Sequence, residues 1–178
     1  MKLSLFDNIK GRANSLLTLL LWLFVGALLW QRIPGVIEHF QKENQPAPSF
    51  QVPLLNGDTF DLKTKTHPLV VVFWATWCGP CEVELSRINQ MIEKGEVTRD
   101  SVVAIASHED RALIEKVSRD RNYRFLVGVD ETGSVAQAYG VRGTPTIVFI
   151  DASRKIHWIT TGLSPFLGVR LSRFLKSQ

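Results

Sequence analysis

Cys78 and Cys81 are the chain's two cysteines, and where they stand constrains the fold more than any other feature. They lie two residues apart in Trp77-Cys78-Gly79-Pro80-Cys81. Leu69-Val70-Val71-Val72-Phe73-Trp74 precedes them, an apolar, β-branched run of strand length. After them Leu85, Ile88 and Ile92 recur at helical spacing in phase with Cys81. The pair therefore sits at a strand-to-helix junction. A helix N-terminus offers unpaired backbone N–H groups and the positive end of the dipole, and both favour a thiolate. The thiolate is the form that attacks a disulfide. Cys78 is placed to be that nucleophile, and Cys81, one turn in, to attack the mixed disulfide and release the product. Pro80 costs nothing in the first turn, where its missing N–H would be unpaired anyway. A zinc site is the competing use of a Cys-x-x-Cys. It lacks a second cysteine pair, and His39, His67, His108 and His157 are isolated from one another in sequence.

Charge says little about partners. Of 21 Lys and Arg, three (Lys2, Lys10, Arg12) fall in the first dozen residues, leaving 18 against 16 acids from Arg32 onward. No basic patch argues for nucleic acid. Those three cations instead flank residues 13–31, which carry no charge and centre on a run from Leu16 to Trp30. Nineteen residues at helical rise span about 28 Å, close to a hydrocarbon core, and Trp30 stands at one rim as an aromatic anchor would. Two other readings stay open. Val25-Gly26-Ala27 loosely fits a signal-peptide cleavage site, although the apolar run continues past it. A buried core helix is the third, against which the flanking charges argue. An anchor would put residues 1–12 in the cytoplasm, because Lys2, Lys10 and Arg12 outweigh Arg32 and Lys42, which are interleaved with Glu38 and Glu43. The domain expected over 50–178 would then face the periplasm or its equivalent from a single-pass anchor in the inner membrane. Residues 32–49 form the linker, and 41–49, with Pro46 and Pro48, read as a tether.

Phe50–Leu55 and Thr59–Leu62 flank Asn56-Gly57, a two-residue hairpin signal. The strand at 69–74 follows, then the cysteine helix over about 80–94 with Gly95 as its C-terminal cap. Ser101–Ala106 reads as a strand, and Ser107 to Asp110 as a capping box for a helix to about Arg119. Phe125–Val129 is a strand and Ser134–Tyr139 a short helix closed by Gly140. Thr146–Ile150 and Lys155–Thr160 form a second hairpin. Ser164 and Pro165 open the last helix, with Leu167, Leu171, Phe174 and Leu175 inward. Alternation of strands and helices implies an α/β fold with helices on both faces of a sheet.

Phe73-Trp74-Ala75-Thr76-Trp77-Cys78-Gly79-Pro80-Cys81 resembles the active-site segment of the thioredoxin superfamily, and its wording is most similar to the TlpA/ResA-like membrane-anchored thiol-disulfide oxidoreductases. The likeness runs from about Pro46 to Leu163 and includes the early hairpin and Gly143-Thr144-Pro145. It implies a central mixed sheet with an extra N-terminal hairpin. It further implies a cis Pro145 beside the cysteines and main-chain pairing of Thr144 with a bound substrate chain. Members often carry a buried Asp six residues before the first cysteine, where this chain has Val72. Glu84, one turn past Cys81 on the same helix face, is the expected substitute proton relay and matches an acid common in the branch. The reading of Glu84 as an ordinary solvated helix residue stays open. Ser86 replaces the Pro that often follows in Glu-x-Pro, so the usual kink is in doubt. Trp77 is expected to wall the substrate groove and Trp74 to belong to the core, while Glu82 is a charge favourable to the helix start. The resemblance implies no cofactor. It implies a reductase of protein disulfides outside the cytoplasm, apocytochrome c among its substrates, fed by a transmembrane electron donor. An oxidant or isomerase, a thiol peroxidase of the same fold and a non-redox binding module are the alternatives. The peroxidase reading suffers from Ala75, where peroxidases of this fold carry Thr three residues before the cysteine.

Overall fold

The computed structural model describes residues 18–28 and 43–176. The chain divides into two units, Met1–Gln41 and Lys42–Gln178. In the first, residues 18–28 are helical (α1), and Leu19, Leu20, Leu21, Trp22, Leu23 and Phe24 are all exposed. This is the centre of the expected 13–31 span. The ends of that span, the cations before it and residues 32–42 of the linker lie outside the described residues. No helix among the described residues is long and apolar enough to cross a membrane.

The second unit is an α/β domain. Its elements are β1 (Gln51–Pro53), β2 (Thr59–Asp61), β3 (Leu69–Trp74), α2 (Gly79–Glu93), β4 (Val102–Ser107), α3 (Arg111–Asp120), β5 (Leu126–Asp130), α4 (Ser134–Ala138), β6 (Thr146–Ile150), β7 (Ile156–Thr161) and α5 (Leu167–Lys176). The central sheet has the order β5-β4-β3-β6-β7. β3, β4 and β5 are parallel, and β6 and β7 run antiparallel, giving the expected mixed sheet. All six residues of β3 are buried. That is why its sequence shows no alternation: both faces are covered, and each takes every second side chain. Val70, Val72 and Trp74 join Ala104, Ala106, Ile147 and Phe149 on one face, under Leu85 and Ile88 of α2, Ile114 of α3 and Leu171 and Phe174 of α5. Leu69, Val71 and Phe73 join Val103, Ile105, Val148 and Ile150 on the other, under Val52, Phe60 and Leu62 of the N-terminal segment and Val135 and Tyr139 at α4.

The N-terminal segment also closes the edges of the sheet. Asn44 N–H donates to Ile156, Ile156 N–H donates to Gln45 and Ala47 N–H donates to Arg154, so residues 44–47 lie along the start of β7. The described part of the expected tether is thus paired to the domain, which the Pro-rich composition did not indicate. At the opposite edge Leu55 N–H donates to Val127 at 3.0 Å. Gly128 permits that approach, since a Cβ there would stand 2.8 Å from a Val52 methyl.

Several boundaries differ from the sequence pattern for local reasons. The first hairpin stops at Pro53 and resumes at Thr59, so its turn is wider than two residues, with Gly57 at φ +92. The capping box at Ser107 does not form. Asp110 caps α3 through Ala112 and Leu113 N–H, while Ser107 ends β4 and donates to Asp130. The last helix opens at Leu167 rather than Ser164, after a turn in which Leu167 N–H donates to Ser164 O.

Candidate active site

The parallel strands β3 and β4 end side by side, with Trp74 opposite Ala106. Antiparallel β6 begins at the same end, with Thr146 opposite Phe73, and β7 finishes there, with Thr161 opposite Thr146. Four chain segments therefore meet at one end of the sheet: the cysteine turn, the loop after β4, the Gly143-Thr144-Pro145 turn and the loop after β7. This is the crevice beyond the carboxyl end of a parallel strand where the chain leaves to either side, the usual place for a site in such sheets.

Cys78 and Cys81 are joined as a disulfide. Cys78 N–H donates to Ala75 O at 3.1 Å, closing the turn after β3. Cys78 is then the N-cap of α2: its Sγ accepts from Cys81 N–H at 3.2 Å, and its carbonyl accepts from Glu82 N–H. The sulfur of Cys78 is thus already where a charge-stabilising N–H points. Access differs between the two: Cys78 is 5% exposed, Cys81 0% and neighbouring Trp77 79%. A partner reaches Cys78 past Trp77 and cannot reach Cys81. Trp74, 1% exposed, is core, edge-on to Tyr123 at 5.7 Å. Burial pushes the Tyr123 phenol up, and Arg121 draws it partly back.

Thr144–Pro145 is a cis peptide. Pro145 is buried and Thr144 half-exposed, and Gly162 N–H donates to Pro145 O at 2.8 Å, tying the turn to the end of β7. Thr146 Oγ1 donates to Gly143 O at 2.7 Å across the same turn.

Val72 is wholly buried on the face that holds both cysteines, so the acid absent from β3 is replaced by packed hydrocarbon. Glu84 is wholly buried too, which removes the solvated reading. Its carboxylate accepts from the Ser164 N–H in the loop after β7, and from Arg87 Nη1 at 3.3 Å. α2 runs unbroken through Ser86. Glu82 is exposed and pairs with Arg121 at 2.9 Å.

One acid escaped the sequence reading. Glu109, in the loop after β4, accepts from Thr76 N–H at 2.9 Å and from the Thr76 hydroxyl, two residues before Cys78. The available signal was topological: the loop after the parallel neighbour of the cysteine strand must end beside the cysteines.

Comparisons with known proteins show what the chain as a whole is similar to. The model of the AhpC/TSA family matches residues 44–159. The chain is 30% identical over 124 residues to the thiol-disulfide oxidoreductase ResA of Bacillus cereus, covering 66% of this chain and 72% of that one. It is 34% identical over 113 residues to the thiol:disulfide interchange protein DsbE of Pseudomonas fluorescens, covering 61% and 60%. Among solved structures, a DsbE-like thiol:disulfide interchange protein of Chlorobium tepidum superposes with a TM-score of 0.67 at 29% identity, over 76% of this chain and 96% of that one.

Proposed function

The chain belongs to the AhpC/TSA family of thioredoxin-like proteins, and from that membership we propose a membrane-tethered reductase of protein disulfides working through Cys78 and Cys81. That it is a thiol-disulfide oxidoreductase of the ResA/DsbE type rests on its relatives. The direction, tether and partners are our reading.

The observation that carries the mechanism is the unequal access of the two sulfurs, 5% against 0% exposed, with Cys81 N–H aimed at Cys78 Sγ. In the dithiol form Cys78 thiolate attacks one sulfur of the substrate disulfide. A mixed disulfide forms and the first substrate thiolate leaves. Cys81, deprotonated in turn, attacks Cys78 Sγ and expels the second substrate thiolate. Two electrons have passed to the substrate, and the chain is left as the disulfide seen here. Thr144 main chain pairs with the substrate segment, Pro145 shapes the groove and Trp77 walls it. Glu84, one turn from Cys81, takes its proton; the burial of Glu84 supports that role over a solvated one.

The anchor over residues 13–31 is supported by the exposed apolar run Leu19–Phe24 on α1, a surface that water does not favour. The domain would then lie outside the cytoplasm and draw electrons from a transmembrane donor. Disulfide-bearing proteins there, apocytochrome c among them, are its substrates. Gly79-Pro80 between the cysteines favours the reducing direction by likeness to reducing family members. Thiol peroxidation is disfavoured, because Ala75 stands where peroxidases of this fold carry Thr.

Trapping tests the reading. Cys81→Ala leaves the substrate linked to Cys78, and the linked proteins can be identified after denaturing isolation. Capture of extracytoplasmic disulfide proteins is expected; the same yield from a Cys78→Ala, Cys81→Ala variant would sink it. A phosphatase fused after residue 45 is expected to be active outside the cytoplasm, and activity of a cytoplasmic reporter alone would reverse the topology.

A further inference from the structure

Three acids surround the cysteine turn, and they are balanced differently. On α2, Glu82 has Arg121 at 2.9 Å and Glu84 has Arg87 at 3.3 Å. Glu109 has no Lys or Arg partner among the described residues. Its carboxylate is held by neutral donors alone, the N–H and hydroxyl of buried Thr76. The other charged neighbours from adjoining elements are occupied elsewhere. Asp110 caps α3, Asp130 accepts from Ser107, Ser134 and Ala136, and the His108 ring lies against Gly133.

Two consequences meet in this one side chain. By fixing both polar groups of Thr76, Glu109 fixes the segment Ala75–Cys78 that delivers the nucleophile. By leaving a negative charge beside that segment, it opposes formation of the Cys78 thiolate, since a like charge disfavours the charged form. A less stable thiolate makes the dithiol less stable relative to the disulfide, and so the stronger electron donor.

We propose that Glu109 is a positioning residue for the cysteine turn whose uncompensated charge keeps the Cys78/Cys81 couple reducing. The proposal rests on the dithiol reading above. The N–H groups at the start of α2 favour the Cys78 thiolate, and the Glu109 charge works against it. The clamp lets the site combine a well-placed sulfur with a strong drive to pass its electrons on.

The test uses the full chain in detergent, equilibrated with mixtures of reduced and oxidised glutathione, the two forms being counted by alkylation. Glu109→Gln keeps the length and an acceptor oxygen but removes the charge. Its equilibrium is expected to move toward the dithiol by on the order of tenfold, which is about 30 mV for a two-electron couple. The midpoint of Cys78 alkylation against pH should fall in step. Glu109→Asp restores the charge on a shorter arm: the equilibrium should return to within about twofold of wild type, roughly 9 mV, while insulin reduction stays slowed by the looser turn. An unchanged equilibrium in Glu109→Gln overturns the proposal. So does an Asp variant that follows Gln rather than wild type, because a folding effect would then be the cause. Wild type that cannot reduce insulin at all would instead fail the dithiol reading, and the glutathione equilibrium would still be measurable.

Discussion

The two faces of the central sheet are built from one set of strands and serve different ends. One face carries α2, α3 and α5 and encloses both cysteines among Val72, Trp74, Leu85 and Ile88. The other is covered by the N-terminal segment and α4, and its cluster of Phe50, Phe60, Phe73 and Tyr139 is aromatic and closely stacked, with Phe50 and Phe60 centroids 5.5 Å apart. The first face includes a wholly buried carboxylate with a backbone donor and an ion-pair partner. The cluster on the second buries hydrocarbon and the neutral phenol of Tyr139. Alternation along β3 separates the two, so a substitution at Val72 and one at Phe73 address different parts of the molecule.

Substitutions on the two faces should therefore be read by different measurements. The largest effect belongs to Cys81→Ala, which should reduce multiple-turnover insulin reduction to the background of free thiol exchange and leave the folded state intact by circular dichroism. Next is Phe60→Ala on the opposite face. It should cost about 3–5 kcal/mol in urea unfolding with the glutathione equilibrium unchanged; a shifted redox equilibrium would break the comparison. Glu84 is where the comparison sharpens, because it is both buried and chemical. Glu84→Ala leaves the Ser164 N–H without its acceptor and should lose about 1–3 kcal/mol. Glu84→Gln keeps an acceptor, so its stability should fall less, while release of the mixed disulfide slows by about 10–100-fold if Glu84 carries the proton. Equal stopped-flow rates across pH 6 to 9 would leave water as the relay.

The smallest effect is expected at Tyr139. Its phenol donates to Pro48 O at 2.9 Å, and burial pushes its pKa well above the ordinary value. A group whose folded pKa is raised contributes stability that is fully present below the unfolded value, about 10, and lost as pH rises above it. Wild type should therefore weaken progressively above about pH 10. Tyr139→Phe should be less stable by about 1 kcal/mol at neutral pH and lose less on alkaline titration. Parallel alkaline curves for the two proteins would assign that loss to other groups.

How much of this was legible follows the distance along the chain between interacting groups. Leu69–Trp74 and the helix after Cys78 could be read because their signals are local and strong. The relay candidate Glu84 could be placed near Cys81 by helical spacing, but its burial depends on Ser164, eighty residues on, and on Arg87. Glu109 could not be found by spacing at all, since it meets Thr76 only through the pairing of β3 with β4. Ser107 and Asp110 both offer a capping oxygen, and the choice between them was made by Asp130 on another strand. Prolines at 46 and 48 resemble a linker in composition, yet the backbone around them has partners on β7 that composition does not encode.

The segment that pairs with both sheet edges has a consequence for association. A bare edge strand is a template on which a second chain can extend the sheet. Here residues 44–47 occupy the start of β7, and Leu55 occupies β5 through Val127. The molecule thus closes part of each margin with its own backbone. A chain trimmed back to Phe50 would present the start of β7 as an open row of donors and acceptors, and such a fragment should pair edge to edge more readily than the intact domain.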